Sequence, residues 1–437
     1  MSSRKPSRAN FLVGFTAGIL SAAWGAAAAA EEHGPPPSPA PFERLDTLCV
    51  NDWWNRPPSP IMDLRPARED VIAFALYTVS GGTLKLTAQF YPLYPEESRD
   101  ASLEILRDGN WTTAAEAQIH DLGWSAHFRV ESWDDSKDVK YRVVFDGAEP
   151  YEGLVRRNLQ GKREIVLAAL SCNSNKDRGH RNNYVRNINA QDPDLIFFAG
   201  DQSYDHREHT AAWLRFGWQF RETFRTRPCV TIPDDHDIGQ GNIWGEGGKK
   251  ASSQAGDDGG YFFHPEYVKM VERCQTWHLP DPYDPTPIKQ GIGFYYTSLR
   301  VGGVDFAIIE DRKFKSGPKG KIPQQGPRSD HINDPSYDPE SIDVPGLKLL
   351  GDRQLKFLED WGKPREGVAM KAVLSQTGFV GAAHVHGRPD NRLFADLDSN
   401  GWPQTGRRKA LRAIRAAGAV HIGGDQHLAT VLQHGID

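Results

Sequence analysis

Sulfur is scarce in this chain, whose 437 residues include only four cysteines and four methionines. Cys49, Cys172, Cys229 and Cys274 are too few in so long a chain for a small scaffold held by disulfides, although an exported protein could pair some of them. If Cys172 binds a metal, at least one of the other three is unpaired. Cys229 begins an apolar run, so it also suits a core position.

An excess of basic charge is also absent, because the formal net charge is −5. This charge gives no basic surface to attract nucleic acid, and we expect no nucleic-acid partner. Beyond the N-terminal segment, no apolar run is long enough to span a membrane. Hydrophobic residues make up 38% and charged residues 25% of the chain, as in ordinary soluble proteins. The length favours two domains, and we expect a monomer.

Residues 1–30 have the pattern of a targeting segment. Arg4, Lys5 and Arg8 give a positive start, Phe11–Trp24 is an apolar stretch, and a run of alanines ends the segment. This pattern predicts a cleaved signal peptide and a periplasmic or secreted protein with no transmembrane segment after cleavage. An uncleaved membrane anchor is the alternative interpretation.

A linker and a strand-rich region follow the signal. Residues 31–62 are rich in proline and small residues and predict an extended linker. Residues 63–160 contain short strand-like runs between Gly, Asp and Asn turns, which predicts an all-β sandwich domain with a structural or substrate-positioning role. The runs are Val71–Thr78, Thr83–Gln89, Ala101–Leu106, Ala126–Val130 and Lys140–Phe145.

A strand–loop–helix rhythm begins after Arg163 and predicts an α/β catalytic domain over residues 161–437. Its helical candidates are Tyr184–Ala190, Thr210–Phe224, Asp352–Trp361 and Arg407–Ala417. The stretch Ser316–Pro345 is rich in Pro, Gly and Asp, and we interpret it as a long surface insertion.

Six apolar runs in this region each end in polar residues suited to binding a metal or a phosphate. They are Ile165–Leu170, Leu195–Ala199, Cys229–Ile232, Val304–Glu310, Ala372–Leu374 and Val420–Ile422. Each has the length of a buried strand. In α/β folds the ligand lies outside the carboxyl ends of the strands, so several of these ends should converge on one site. A site rich in carboxylate, imidazole and thiolate suits two metal ions and hydrolysis.

Two of these strand ends carry acidic motifs. Asp201 could bridge two cations and Tyr204 could bind one of them as a phenolate, although an Asp that caps a helix is the simpler alternative. Asp234-Asp235-His236-Asp237 directly follows a core-like run. Its carboxylates repel one another unless cations or hydrogen-bond donors compensate them. A solvated acidic turn is the alternative interpretation of this cluster.

Two other strand ends supply nitrogen and sulfur donors. Asp425 and His427 lie two residues apart on an extended segment, so both side chains point to one side and suit adjacent metals. A core histidine with ordinary partners is the alternative for His427. Cys172 would be a strong donor as a thiolate, but burial as a small hydrophobic side chain is at least as common for cysteine.

Two further motifs are less specific. Asp396-Leu397-Asp398-Ser399-Asn400-Gly401 resembles the start of an EF-hand loop, but Arg407 stands at the twelfth position, where that loop needs a bidentate Glu. We therefore interpret the segment as a turn that caps the following helix. His384-Val385-His386 could lie at the rim of the cleft or in a surface loop.

Six short motifs then occur in a fixed order. They are Gly200-Asp201-Gln202-x-Tyr204, Asp234-Asp235-His236-Asp237, Asp311-x-x-x-Phe314, Gly351-x-x-Gln354, Gly401-Trp402-Pro403 and Gly424-Asp425-x-His427. In this order they resemble the PhoD-type alkaline phosphatase/phosphodiesterase family of the metallophosphoesterase superfamily. The resemblance covers about Ile165 to His427. It implies a four-layer α/β/β/α metallophosphoesterase domain preceded by the all-β sandwich domain.

The resemblance also implies a binuclear centre of Fe³⁺ and Ca²⁺, with Zn²⁺ or Mn²⁺ as alternatives. By position, the implied ligands are Cys172, Tyr204 and His427 for the ferric ion, Asp201 as the bridge, and Asp235 and Asp425 on the calcium side. Ser171-Cys172 stands in place of the superfamily's usual Asp-x-His. Gln376 occupies a position where many relatives have a metal-binding His.

The function implied is that of an exported metal-dependent phosphoric-ester hydrolase, acting on monoesters, diesters or both. Two metal ions would bind the phosphate oxygens and activate a water for in-line attack on phosphorus. His236 would protonate or stabilise the leaving oxygen, and Arg312 would help to hold charge on the phosphoryl oxygens. The alternative from another class is a non-catalytic exported binding protein on a degenerate phosphatase domain.

Overall fold

A computed structural model describes residues 67–93, 97–173, 181–202, 204, 209–381, 393–427, 429–433 and 435. The predicted signal peptide, the linker and His384-Val385-His386 lie outside the described residues. Among the residues that are described, no helix combines the length and the apolar character needed to cross a bilayer.

The strand-rich region contains two antiparallel sheets. Its strands are β1 (Ile72–Ser80), β2 (Thr83–Phe90), β3 (Asp100–Arg107), β4 (Asn110–Gln118), β5 (Ser125–Val130), β6 (Val139–Phe145) and β7 (Tyr151–Val155). One sheet has the order β1-β2-β5 and the other β4-β3-β6-β7. Side chains of both sheets, among them Leu86 and Leu103, belong to one hydrophobic cluster. The two sheets therefore form the predicted sandwich.

Two strands of the sandwich were not predicted. Both β4 and β7 lie at the edge of their sheet. β4 has the sequence NWTTAAEAQ and has no fully buried residue, so its apolar alternation is weak. Edge strands need only one covered face and tolerate polar residues, which explains why the pattern does not reveal them.

The α/β region alternates strands and helices. Its strands are β8 (Leu167–Leu170), β9 (Leu195–Phe198), β10 (Cys229–Thr231), β11 (Thr297–Val301), β12 (Val304–Ile308), β13 (His331–Ile332), β14 (Met370–Thr377), β15 (Ala395–Asp396) and β16 (Val420–Gly424). Its helices are α1 (Arg181–Ala190), α2 (His209–Phe224), α3 (Asp235–Ile238), α4 (Pro265–Thr276), α5 (Gly351–Gly362) and α6 (Gln404–Ala416). Short 3₁₀ turns occur at Arg68–Asp70, Lys289–Gly291 and Pro339–Ile342.

Two sheets stack at the centre of this region. β10-β9-β8 is parallel, and β11-β12-β14-β16 is parallel except for β11. Phe197 of one sheet and Phe306 of the other belong to a shared buried cluster. The residues next to these along each strand point to the opposite face of their sheet, towards the helices, because successive side chains of a strand alternate between its two faces. Phe198 packs on α2, and Val373 lies in a cluster with α5 and α6. The order of layers is thus helix, sheet, sheet, helix, and the α/β fold class is confirmed.

The sandwich and the α/β region are joined by a common core. The rings of Phe74 on β1 and Trp213 on α2 are 5.5 Å apart and meet edge to face. Trp213 Nε1 donates to Gln89 Oε1 at 3.1 Å. β1 is buried along most of its length because the second sheet covers one face and α2 the other. The predicted domain boundary near residue 160 stays a prediction.

The segment predicted as a surface insertion is partly buried. Ile342 is fully buried, and Ile332 shares a small core cluster with Trp402. β13 pairs with β15, so the segment is held against residues 395–396. Its Pro- and Gly-rich composition predicted the lack of long elements but concealed these apolar anchors.

Candidate metal centre

The loops after four parallel strands meet at one place. Cys172 follows β8, Asp201 follows β9, and Asp425 follows β16. Asp235 opens α3 directly after β10 and the Pro233-Asp234 turn. The carboxyl ends of stacked parallel strands share one edge, so the topology brings these side chains together as the sequence predicts.

Strained backbone accompanies the candidate ligands. Cys172, Asp201, Asp425 and His427 have φ values of 60°, 55°, 69° and 51°, a left-handed conformation that non-glycine residues rarely adopt. Each such residue costs about 1–3 kcal/mol and is retained where the surroundings enforce it, typically at functional sites. Gly200 has a φ of 107°, and a Cβ there would overlap Asp234.

One part of the centre combines sulfur, oxygen and nitrogen donors. Cys172 Sγ lies 3.7 Å from Asp201 Oδ2 and 3.5 Å from the Asp425 carbonyl oxygen. Ligand atoms of Cys172, Asp201 and His427 lie within 4.8 Å of one another. The Tyr204 hydroxyl is 2.6 Å from His427 Nε2. This part suits a cation that accepts thiolate, phenolate and imidazole.

A second part of the centre is richer in carboxylates. Potential ligand atoms of Asp201, Asp235 and His236 form one group within 4.8 Å, and those of Asp234, Asp235 and Asp425 form another. Asp201 belongs to the first part of the centre as well, as the predicted bridge requires. Hard carboxylate oxygens suit a hard divalent cation.

The polar groups at the centre fit bound cations. Asp201 Oδ1 and Asp235 Oδ1 are buried and have no hydrogen-bond partner among the described residues. Burial, followed by neighbouring carboxylates, raises the pKa of Asp201 well above its usual range. Burial and the negative charge of Asp201 likewise raise the pKa of Asp235 and Cys172. So much buried negative charge requires compensation, which two cations would supply.

Asp237 fixes the backbone of two ligand loops. Its Oδ2 accepts the backbone N–H groups of Asp201 at 2.8 Å and Asp234 at 2.9 Å, and its Oδ1 accepts that of Gln202 at 3.0 Å. A single carboxylate thereby ties the loop after β9 to the loop after β10. The sequence contained a signal for this role, because the DDHD cluster has two acidic residues, Asp234 and Asp237, beyond the Asp235 that the predicted ligand set uses.

Arg312 is buried and surrounded by carboxylates. Its guanidinium donates to both oxygens of Asp234, at 2.7 and 3.0 Å, and to Asp398 Oδ1 at 2.7 Å. Its Nη2 is also 3.3 Å from Asp425 Oδ1. The guanidinium is therefore a fixed positive charge that orients Asp234. Its predicted contact with a phosphoryl group stays a prediction.

Sequence reasoning missed Asp398 as a partner in the centre. It was considered only as part of the EF-hand-like segment, and nothing in its spacing points to Arg312, 86 positions earlier. That segment forms β15 and a turn, and the backbone N–H of Thr405 in the first turn of the following helix donates to Asp343 instead, so the predicted capping role is wrong. Gln376 lies within β14 and links two loops, since its Oε1 accepts the Asp311 N–H and its Nε2 donates to the Pro233 carbonyl.

Comparisons with known proteins support the fold. No model of a protein family and no curated protein matches the chain. A solved structure of PhoD aligns with a TM-score of 0.62 over 83% of this chain and 73% of that chain, at 16% identity. A β-glucuronidase of Parabacteroides merdae with glycerol aligns at a TM-score of 0.23 and 10% identity over 68% of this chain and 32% of that chain, too weakly to support an argument. This chain has a PhoD-like α/β/β/α fold.

Proposed function

We propose that the protein is an exported metal-dependent phosphoric-ester hydrolase of the alkaline phosphatase D kind. The observation that carries this proposal is the convergence of Cys172, Asp201, Asp235 and Asp425 at the ends of parallel strands, with buried carboxylate oxygens left unpaired. The PhoD-like fold supports the same reaction class. The predicted signal peptide supports a periplasmic or secreted location.

The proposed ligand assignment follows the two parts of the centre. Cys172, Tyr204 and His427 would hold one cation, Asp235 and Asp425 the other, and Asp201 would bridge them. The thiolate–phenolate set favours Fe³⁺ on one side, and the carboxylates favour Ca²⁺ on the other, with Zn²⁺ or Mn²⁺ as alternatives. When bound, such a pair polarises phosphoryl oxygens and activates water near neutral pH.

His236 is proposed as the group that serves the leaving oxygen. Its side chain is 23% exposed, whereas Asp235 beside it is 2% exposed. Its Nε2 is 3.8 Å from Asp235 Oδ2, and its ring centroid is 4.3 Å from that of Tyr204. The imidazole thus lies at the border between the buried carboxylates and solvent, where a leaving group would depart. Donation of a proton there contributes about 10²–10⁴ in rate.

Arg312 is proposed to help stabilise the negative charge of the phosphoryl group. Its contacts favour an indirect effect, through the carboxylates that surround it. Because Asp234 and Asp398 hold the guanidinium, its positive charge lowers the repulsion between Asp234 and Asp425 at the centre. This positive charge opposes the rise that burial causes in the pKa of Asp234 and Asp425, and it thereby favours the ionised forms that bind cations.

Metal analysis and a visible spectrum of the purified protein test the proposal. Iron and calcium, together with a charge-transfer band that disappears in Tyr204→Phe, would support the assignment down to the ligands. A colourless protein with zinc or manganese that still cleaves p-nitrophenyl phosphate or its diester would keep the hydrolase and remove the ferric site. No bound metal and no activity after reconstitution would favour the non-catalytic binding protein instead.

A further inference from the structure

A small cavity lies beside the candidate metal centre, between α2, α3, α4 and the loop after β9. Gln202, His209, His236, Asp237 and Gln275 line it, together with two further side chains of α2. Its volume is about 10 Å³, which is enough for about one water molecule. Apart from His236, these five residues are buried. The cavity is therefore a small polar space next to the residues that carry the proposed chemistry.

Two buried polar atoms at this cavity have no hydrogen-bond partner among the described residues. They are Oε1 of Gln202 and Nδ1 of His209. The exposed fractions of the two residues are 1% and 5%, so contact with bulk water does not satisfy them. An unpaired buried polar group costs about 1–3 kcal/mol, and most such groups in folded proteins bind another group or an ordered water. The two atoms thus point to a bound molecule.

The neighbouring hydrogen bonds determine which of the two atoms is the donor. The Ile232 carbonyl can only accept, so the Gln202 atom 3.1 Å from it is the Nε2 donor. The same Nε2 is 3.5 Å from Gln275 Oε1, which it reaches with its second N–H. The Nε2 of Gln275 is then the atom 3.3 Å from His209 Nε2, and this ring nitrogen accepts. A neutral His209 consequently carries its proton on Nδ1.

The imidazole of His209 is neutral and held in one orientation. Burial lowers its pKa to about 3, so the ring carries no charge at neutral pH. The ring is nearly parallel to that of Trp213, at an interplanar angle of 16° and a centroid distance of 6.1 Å. Trp213 is itself held by its hydrogen bond to Gln89. The cavity therefore presents one donor, His209 Nδ1–H, and one acceptor, Gln202 Oε1.

We propose that a water molecule bound between His209 and Gln202 helps to position the imidazole of His236, which makes His209 and Gln202 positioning residues of the candidate site. Water fits because it can accept from Nδ1–H and donate to Oε1 at the same time. A metal cation would be repelled by the N–H group, and an anion would be repelled by the amide oxygen. Either ion would also exceed what a cavity of this size can hold together with its hydration.

The location of this water gives it an influence on the site. Gln202 follows Asp201 directly, and the backbone N–H groups of both donate to Asp237. His236 lines the same cavity, so the water fills space beside its ring. Without the water, the ring has room to turn away from the leaving group. The water site depends only on the hydrogen-bond pattern, whereas the value of positioning His236 rests on the proposed function.

Crystal structures of the wild type, His209→Gln and His209→Asn test this proposal. The amide of Gln replaces Nε2 of His209 and keeps the contact with Gln275, but it has no donor at the position of Nδ1. The amide of Asn places an N–H near that position, so His209→Asn is the matched control. We expect a water peak about 2.7–3.2 Å from Gln202 Oε1 and from the donor at position 209 in the wild type and His209→Asn. In His209→Gln the peak should be absent, and the His236 ring should take a second orientation.

Steady-state kinetics with p-nitrophenyl phosphate give a second measurement on the same proteins. We expect kcat of His209→Gln to fall about 10-fold, the lower end of the range for outer-shell changes. KM and bound metal should stay near those of the wild type, and His209→Asn should keep most of the wild-type kcat.

The outcomes separate the water site from the proposed function. A wild-type structure without the peak, or a peak that persists in His209→Gln, would overturn the water site, and the wild-type result needs no variant to fold. An unchanged His236 ring and equal kcat in His209→Gln would overturn the positioning role. A wild-type protein without phosphatase activity would count against the proposed function alone, because the peak and the ring orientation are observed without turnover.

Discussion

At the residue scale, the partial exposure of His236 distinguishes it from the buried carboxylates beside it. We expect His236→Ala to lower kcat by about 10²–10⁴ while metal content stays near that of the wild type. Phosphatase assays and metal analysis on the same preparation would check this. Loss of activity and metal together would instead make His236 a ligand.

Asp237 offers a second prediction at this scale. Asp237→Asn keeps the size of the side chain but replaces one acceptor oxygen with a donor, so it cannot accept all three backbone N–H groups. We expect metal affinity to fall about 10- to 100-fold, as for other outer-shell changes. Equilibrium dialysis would measure the change, with exposed Asp334→Asn as control. Unchanged affinity would show that the loops hold their shape without this carboxylate.

His278 predicts a pH dependence of stability. It is fully buried, and burial lowers its pKa to about 3, from about 6.5 in the unfolded chain. Between pH 3 and pH 6.5 the unfolded chain binds more protons at His278 than the folded protein does. The contribution of His278 to stability is therefore fully present above about pH 6.5 and is lost as the pH drops below that value. At pH 5 the loss is about 2 kcal/mol. Because buried His209 has a similarly lowered pKa and is present in both proteins, urea unfolding at pH 7 and pH 5 should show a loss that is about 2 kcal/mol smaller in His278→Gln than in the wild type. Equal pH dependence in both proteins would contradict it.

The candidate ligands could be predicted because their signals are local. Asp201, Asp425 and His427 stand directly after apolar runs, and strand topology alone places such residues at one edge. The partners of Arg312 could not be predicted in this way. Asp234 and Asp398 reach it from positions 78 before and 86 after it in the sequence, and the loops between determine that approach.

At the scale of elements, the contact between β1 and α2 depends on a glycine. A Cβ at Gly217 would overlap the Phe74 ring. Gly to Ala inside a helix usually stabilises by about 1 kcal/mol, but overpacking a core costs about 1–3 kcal/mol. We therefore expect Gly217→Ala to destabilise the protein, as urea unfolding would show. Gly241→Ala, with open space around its Cβ, is the control. A stabilised Gly217→Ala would mean that the ring moves aside easily.

Elements with one strong apolar face were predicted well, and weakly patterned ones were not. The helix candidates Thr210–Phe224 and Asp352–Trp361 match α2 and α5 within one residue at each end. α4 was overlooked, although Pro265 stands at its first turn behind the cap His264. β13 and β15 have two residues each, too few for any periodicity to appear.

At the scale of the whole molecule, layer order follows from alternation along the central strands. Phe306 faces the opposite sheet, and Ala307 faces the helices. The sequence contains continuous apolar runs, and a strand of this kind predicts a sheet that is covered on both faces. The joining of sandwich and α/β region was not predictable, because Phe74 and Trp213 are 139 positions apart and each suits an ordinary core.

That joining has a practical consequence for expression. A gene fragment beginning at residue 161 would encode α2 without β1, leaving Trp213 and its neighbours facing water where Phe74 and Gln89 now cover them. Exposed aromatic surface of this kind promotes aggregation. The α/β half should therefore be recovered in soluble form only when it is produced together with residues 67–160, and separation of the two halves by gene rearrangement should be poorly tolerated.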